Sequence, residues 1–238
     1  MVSTLMRRFG EKGGRLRLRT GMQRLLLSDD QVAGVVAFDD EGPLAVEAKS
    51  SVLATGGFQG NTSLITQYIT PHADSLYLRS NPWSTGDGFL AATRAGAAAT
   101  THLNCFYGHA LAAPPARFSH LEGRGRALLP SRQRNAVPLV TAPFSAVMVR
   151  AGITFTCGGL QADLDMSVLR RSLTSSTLSL IKADRDEVSL TPMANLYAAG
   201  CDLGGISTRG YLGGLATALV TRQIAGASAM YNAKYNKP

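Results

Sequence analysis

The chain has 238 residues, 45% hydrophobic and 17% charged, which makes a globular protein with one large or two small domains the default. Its 25 glycines favour tight turns and close backbone approaches over a helical bundle, and no collagen-like or heptad repeat accounts for them. The net charge of +8 is compatible with nucleic acid or an anionic membrane, but the arginines lack interleaved aromatics and no zinc-finger or RRM signature is present, so anionic small molecules or plain solvated surface fit better.

In chain order, residues 2–9 predict a short helix that Gly13 and Gly14 end. Residues 15–20 alternate Arg and Leu, the period of a strand with one wet face. Strands at 23–27, 32–38 and 44–48, separated by Ser28-Asp29-Asp30 and Asp39-Asp40-Glu41-Gly42, predict an antiparallel meander. A buried strand over 51–58 follows, ending on Gly56 and Gly57; its G-G-x-x-G pattern is not the G-x-G-x-x-G dinucleotide fingerprint, which occurs nowhere in the chain. Helices are expected at 62–68 and 89–95. Residues 100–150 carry prolines and a second arginine cluster (Arg117, Arg124, Arg126, Arg132, Arg134) and few periodic runs. Strand character returns over 152–165, and 170–190 give no clear pattern.

The stretch 195–229 carries the strongest local signal. A short apolar strand at 196–199 breaks on Gly200, a loop with Gly204, Gly205, Gly210, Gly213 and Gly214 follows, and a helical run continues to residue 229. A strand, a glycine-rich turn and a helix head bring backbone N–H groups close to an anion. Cys105, Cys157 and Cys201 show no C-x-x-C spacing, so neither a metal site nor a disulfide framework is expected. The N-terminus lacks an apolar signal core and no run is long enough to span a membrane, so a soluble cytoplasmic protein is the expectation.

Four segments occur in order: VLATGGFQGN at 52–61, TGDGFLAATRAGA at 85–97, TFTCGGLQAD at 154–163, and LYAAGCDLGG with GGLATALVTRQIAG within 196–226. Together they resemble the FAD-dependent fumarate reductase and succinate dehydrogenase flavoproteins, most closely the tricarballylate-dehydrogenase-like and ketosteroid-dehydrogenase-like branches. The resemblance implies an α/β fold: an incomplete Rossmann-like FAD-binding domain with a β-meander (1–100 and 192–238) and a reduced α+β capping domain (101–191). It also implies a chain shortened at its start and in its middle, with FAD as cofactor and a carboxylate or ketone substrate.

Carried over by position, Met22 becomes a backbone contact near the adenine or an ordinary strand residue. Ala54, Thr55, Gly56 and Gly57 line the cofactor through the backbone or simply turn a corner, and Asp87 bonds in the flavin region or caps a helix. Cys201 stands where an acidic residue is usual, which leaves Asp202 to bind the ribityl chain with a shift of one or to be a surface acid. Gly213, Gly214 and Leu215 open the helix that faces the flavin N1–C2=O locus, and Arg209 becomes the grip for a substrate carboxylate. Arg124 or Arg126 is a candidate remnant of the proton-donating arginine, and His102, His109 and His120 read as ordinary histidines. With one strand of a parallel sheet missing, the edges at 52–55 and 196–199 are expected to be exposed and prone to self-association. The other reading of the chain is a non-catalytic basic module that reuses the scaffold.

Overall fold

The structure is a computed structural model that describes residues 2–112, 140–141, 143, 148–172, 189–207 and 211–235. Three small sheets organise the described residues. The first is the expected meander, β1 (Gly21–Ser28), β2 (Gln31–Asp39) and β3 (Gly42–Glu47), antiparallel throughout. Its first turn places Asp29 and Asp30 at φ 47° and 64°, a left-handed conformation that aspartate tolerates better than most side chains.

The second sheet has the order β4 (Ser51–Leu53), β9 (Ser189–Ala198), β8 (Ser167–Ser172), with β4 parallel and β8 antiparallel to β9. The third joins β5 (Tyr77–Leu78), β7 (Val149–Thr156) and β6 (Phe106–Ala112), with β5 parallel and β6 antiparallel to β7. Among the described residues four α-helices accompany them: α1 (Val2–Glu11), α2 (Thr62–Tyr68), α3 (Asp87–Arg94) and α4 (Gly214–Tyr235).

The core lies between the meander, the second sheet and α3. Leu25 and Val32 meet Leu53, Leu196 and Ala198 there, and Phe58, Tyr68 and Phe89 form a ring cluster with centroids 5.5–6.1 Å apart. Helix α4 lies on β9 and β4 and buries only Thr221, Ala225 and Ala229. These small residues, four apart on one face, let the helix sit close to the sheet. Thr221 Oγ1 donates to the carbonyl of Thr217 (2.8 Å) and accepts the N–H of Gly200 (2.9 Å), which fixes the end of β9 against the helix.

Several expectations change. Residues 15–20 form no strand: a strand satisfies its peptide groups only against a neighbour, none pairs with this run among the described residues, and Leu16 and Leu18 are exposed. The strand at 51–58 stops at Leu53, and 54–57 is a loop that leaves the sheet. β6 lies where no strand was expected, and β9 starts at Ser189, well before 196, so it runs across residue 192. At 196–198 β9 is therefore paired on both sides, by β4 and by β8; among the described residues β4 has no second strand partner, and its Val52 is 40% exposed.

Candidate functional site

Where β9 ends, the chain turns through Gly200, at φ +67°, and a cavity opens between three pieces of backbone. Thr156 and Cys157 come from the end of β7, Gly200 and Cys201 from the turn, and Gly213 and Gly214 from the head of α4. Gly213 stands at φ +86°, a conformation that costs a side-chain-bearing residue about 1 kcal/mol. The first described α4 amide with a helical partner is that of Thr217, donating to the Gly213 carbonyl at 2.9 Å. The positive end of a 22-residue helix therefore borders the cavity at Gly213, Gly214 and Thr217.

Behind the cavity wall lies a polar node centred on Asp202, which is 1% exposed. Its Oδ2 accepts the N–H groups of Thr55 (2.5 Å) and Gly56 (3.0 Å), and its Oδ1 accepts the hydroxyl of Thr55 (2.8 Å). Thr55 Oγ1 in turn accepts the N–H of Gly88 at 3.0 Å, in the first turn of α3. Burial pushes the Asp202 carboxyl up from 3.8 to about 6, with nearby Asp87 adding to the rise and the bonds from Thr55 and Gly56 opposing it. Gly88 has to be glycine: a Cβ there would sit 2.6 Å from Thr55 Oγ1 and 2.7 Å from Asp202 Oδ1.

The structure brings some of the expected residues together and separates others. Asp202 faces inward, with its carboxylate committed to Thr55 and Gly56; Cys201 is the member of the pair that lines the cavity. Burial, then Asp202 and Cys157, push the Cys201 thiol up to about 11, so it stands there protonated. The amides of Thr55 and Gly56 are spent on Asp202, whereas that of Gly57 has no intramolecular acceptor among the described residues. Gly57 backs onto Thr156, and a Cβ on it would collide with Thr156 Oγ1. Ala54 lies in the same loop, exposed.

Asp87 is the first residue of α3 rather than its cap, which is Gly86; its Oδ1 accepts the Thr85 hydroxyl at 2.8 Å. Met22 is a β1 residue paired with Ala37, its side chain against the core. Leu215, 71% exposed, follows the two glycines at the helix head. Arg209, Arg124, Arg126 and His120 lie outside the described residues.

Sequence reasoning passed over one pair. Tyr107 Oη and His109 Nε2 are 3.1 Å apart on β6, and the Tyr107 ring stacks on Tyr211 at 4.3 Å and 19°. Tyr107 also meets Phe155, which lines the cavity, at 5.2 Å. The signal was present in FYGHALA, since residues two apart on a strand share a face. It was hidden because no strand was expected there.

The cavity residues fit the pyrimidine end of a flavin. N–H groups at a helix head suit its C2 carbonyl, and Gln59 Oε1 and Thr156 Oγ1, buried and without hydrogen-bond partners among the described residues, crowd the Cα of Gly57. For the pyrophosphate half, the chain supplies no G-x-G-x-x-G turn.

A mixed α/β body with a glycine-lined cleft at a strand end and a helix head defines the cofactor-binding class of α/β proteins. A family model, the FAD binding domain, matches residues 1–134, and the chain belongs to that family. Among curated relatives, an NADH:fumarate oxidoreductase of Klebsiella pneumoniae (strain 342) is 34% identical over 98 residues, 41% of this chain and 10% of that one. The probable fumarate reductase Ifc3 of Shewanella frigidimarina (strain NCIMB 400) is 35% identical over 102 residues, 42% of this chain and 17% of that one. The chain thus spans a minor part of these relatives.

Among solved structures, the open conformation of a flavocytochrome c3 fumarate reductase superposes with a TM-score of 0.72 at 22% identity, over 98% of this chain and 55% of that one. A 3-ketosteroid delta1-dehydrogenase from Sterolibacterium denitrificans, in complex with 1,4-androstadiene-3,17-dione, gives 0.69 at 16%, over 98% and 62%. Both likenesses establish the fold. Among the described residues no helix is long and apolar enough to cross a membrane.

Proposed function

We propose that this chain forms the flavin-facing and substrate-facing part of an FAD-dependent oxidoreductase acting on a carboxylate or ketone. The observation that carries the reading is the cavity at the head of α4, where the positive end of a helix meets the glycine-lined end of β9 in a member of an FAD-binding family. Bound there, FAD would supply a two-electron acceptor or donor at its N5. The α4 amides and the Gly57 N–H would bind and orient the ring, with the positive helix end favouring negative charge near N1–C2=O.

Arg209 is the proposed substrate grip, because a guanidinium binds a carboxylate in a fork and polarises it. The Tyr107–His109 pair is the proposed proton carrier, with its ring stack on Tyr211 forming a flat platform beside the cavity. Small-molecule substrate, a reducing compartment suited to three free thiols, and self-association through the open edge of β4 complete the proposal.

Purified protein titrated with FAD tests it. A bound flavin that dithionite bleaches and air restores is the expected result, and failure to bind added FAD removes the proposal. For Arg209→Ala, the expected result is flavin retained with turnover of a carboxylate lost; unchanged turnover would remove the role given to Arg209.

A further inference from the structure

The node behind the cavity wall goes beyond the binding of flavin itself. Asp202 is flanked by Cys201 and Leu203, which line the cavity, yet its own side chain points the other way and takes up the amides of Thr55 and Gly56. Successive N–H groups on one side of a glycine-rich loop make a nest for an anion. Here the nest is already filled from within, by a carboxylate that also holds the Thr55 hydroxyl.

Through that hydroxyl the arrangement reaches α3, since Thr55 Oγ1 accepts the Gly88 N–H. The backbone carbonyl of Asp202 accepts the N–H of Leu160, which ties the same turn to the strand end carrying Cys157. Four segments distant in sequence, around residues 55, 88, 160 and 202, therefore meet at one buried residue.

The geometry points to Asp202 and Thr55 as a positioning pair: by occupying the nest of the 54–57 loop and linking it to α3, they make Gly57 the loop amide offered to the cofactor and set where it stands. This rests on the flavin reading of the cavity. It also assigns Asp202 a part different from contact with a ligand, because both its oxygens are engaged and it has almost no exposed surface. Asp87 on α3 is the titratable group that acts on it, and Asp202 in turn acts on Cys201 of the same turn.

The test uses the 1–238 protein with two matched variants of Thr55 and two readouts, both at temperatures where each form is fully folded. Thr55→Val keeps the shape and removes the hydroxyl; Thr55→Ser restores it. Amide hydrogen exchange without any flavin reads the node alone: faster exchange at Gly56 and Gly88 in Thr55→Val, restored in Thr55→Ser, is expected. Unchanged exchange in Thr55→Val would overturn the linkage.

FAD titration then reads the positioning, with affinity expected to fall about tenfold in Thr55→Val and to stay within about twofold in Thr55→Ser, as for loss of one hydrogen bond. Equal FAD affinity in both variants, beside altered exchange, would reduce the pair to a structural clamp and overturn the positioning role. If the wild-type protein binds no FAD, the flavin reading fails and the positioning role with it, while the exchange arm still decides whether the node exists.

Discussion

The cavity and the loop behind it act as two walls built on opposite principles. The inner wall, 54–57 with Asp202, is locked: the amides of Thr55 and Gly56 are consumed by Asp202, Gly57 is hemmed in by Thr156 and Gln59, and the carboxylate is buried. The wall at 211–217 is open, with Tyr211, Leu212 and Leu215 exposed and the first-turn amides of α4 without helical partners. The difference separates two tasks, since a fixed wall gives a ligand its position and a wall of unspent donors gives it its binding energy. Substitutions in the first wall are therefore expected to move stability before binding, and substitutions in the second to move binding before stability.

The largest effect is expected at Gly88. Gly88→Ala drives a methyl group into Thr55 Oγ1 and Asp202 Oδ1, and about 3 kcal/mol of stability is expected to be lost in urea unfolding. Loss below about 0.5 kcal/mol would show that the node is loose. Asp202→Ala comes next, at about 2 kcal/mol, because the part-buried donors of Thr55 and Gly56 lose their acceptor while the cost of burying a carboxylate is relieved.

A pH profile sharpens the same wall. The Asp202 carboxyl holds its proton more tightly when folded, up to about 6 against 3.8, so its contribution to stability is complete below about pH 4 and is lost as pH rises through 6. Stability attributable to this residue is expected to fall across that window, and Asp202→Asn is expected to flatten the fall in thermal unfolding measured from pH 4 to 7.

On the open wall the order reverses. Gly213→Ala, where the nearest atom to a new Cβ is that of Ala216 at 3.5 Å, is expected to cost only about 1 kcal/mol through its positive φ. The same change is expected to weaken flavin binding by more than that loss of stability accounts for. Leu215→Gln sits at the small end, within about 0.5 kcal/mol by unfolding, since the side chain is mostly in solvent.

The open wall is more legible in the sequence than the locked one, for a physical reason. Glycine pairs, a strand of apolar residues and the helix after Gly214 are local patterns, and the meander, α2, α3 and α4 follow from such patterns with small shifts in their ends. The node is made of contacts between residues 147 apart, and nothing in the spacing of Asp202 tells that its carboxylate turns back to Thr55 instead of outward. The same limit hid Tyr107 and His109, whose meaning depends on β6 pairing with β7 across some forty residues. Residues 15–20 fail in the opposite direction: their alternation is local and clear, but no neighbour among the described residues turns it into a strand.

The most direct measurement of the central claim is a map of backbone amide shifts in isotope-labelled 1–238 protein as FAD is added. The account predicts saturable changes concentrated at Gly57, at Gly200 and Cys201, and at Gly213 to Ala216, with the amides of Thr55 and Gly56 nearly still because Asp202 holds them. Changes spread over the arginines of α1 and 15–19 instead, with none at the head of α4, would contradict it.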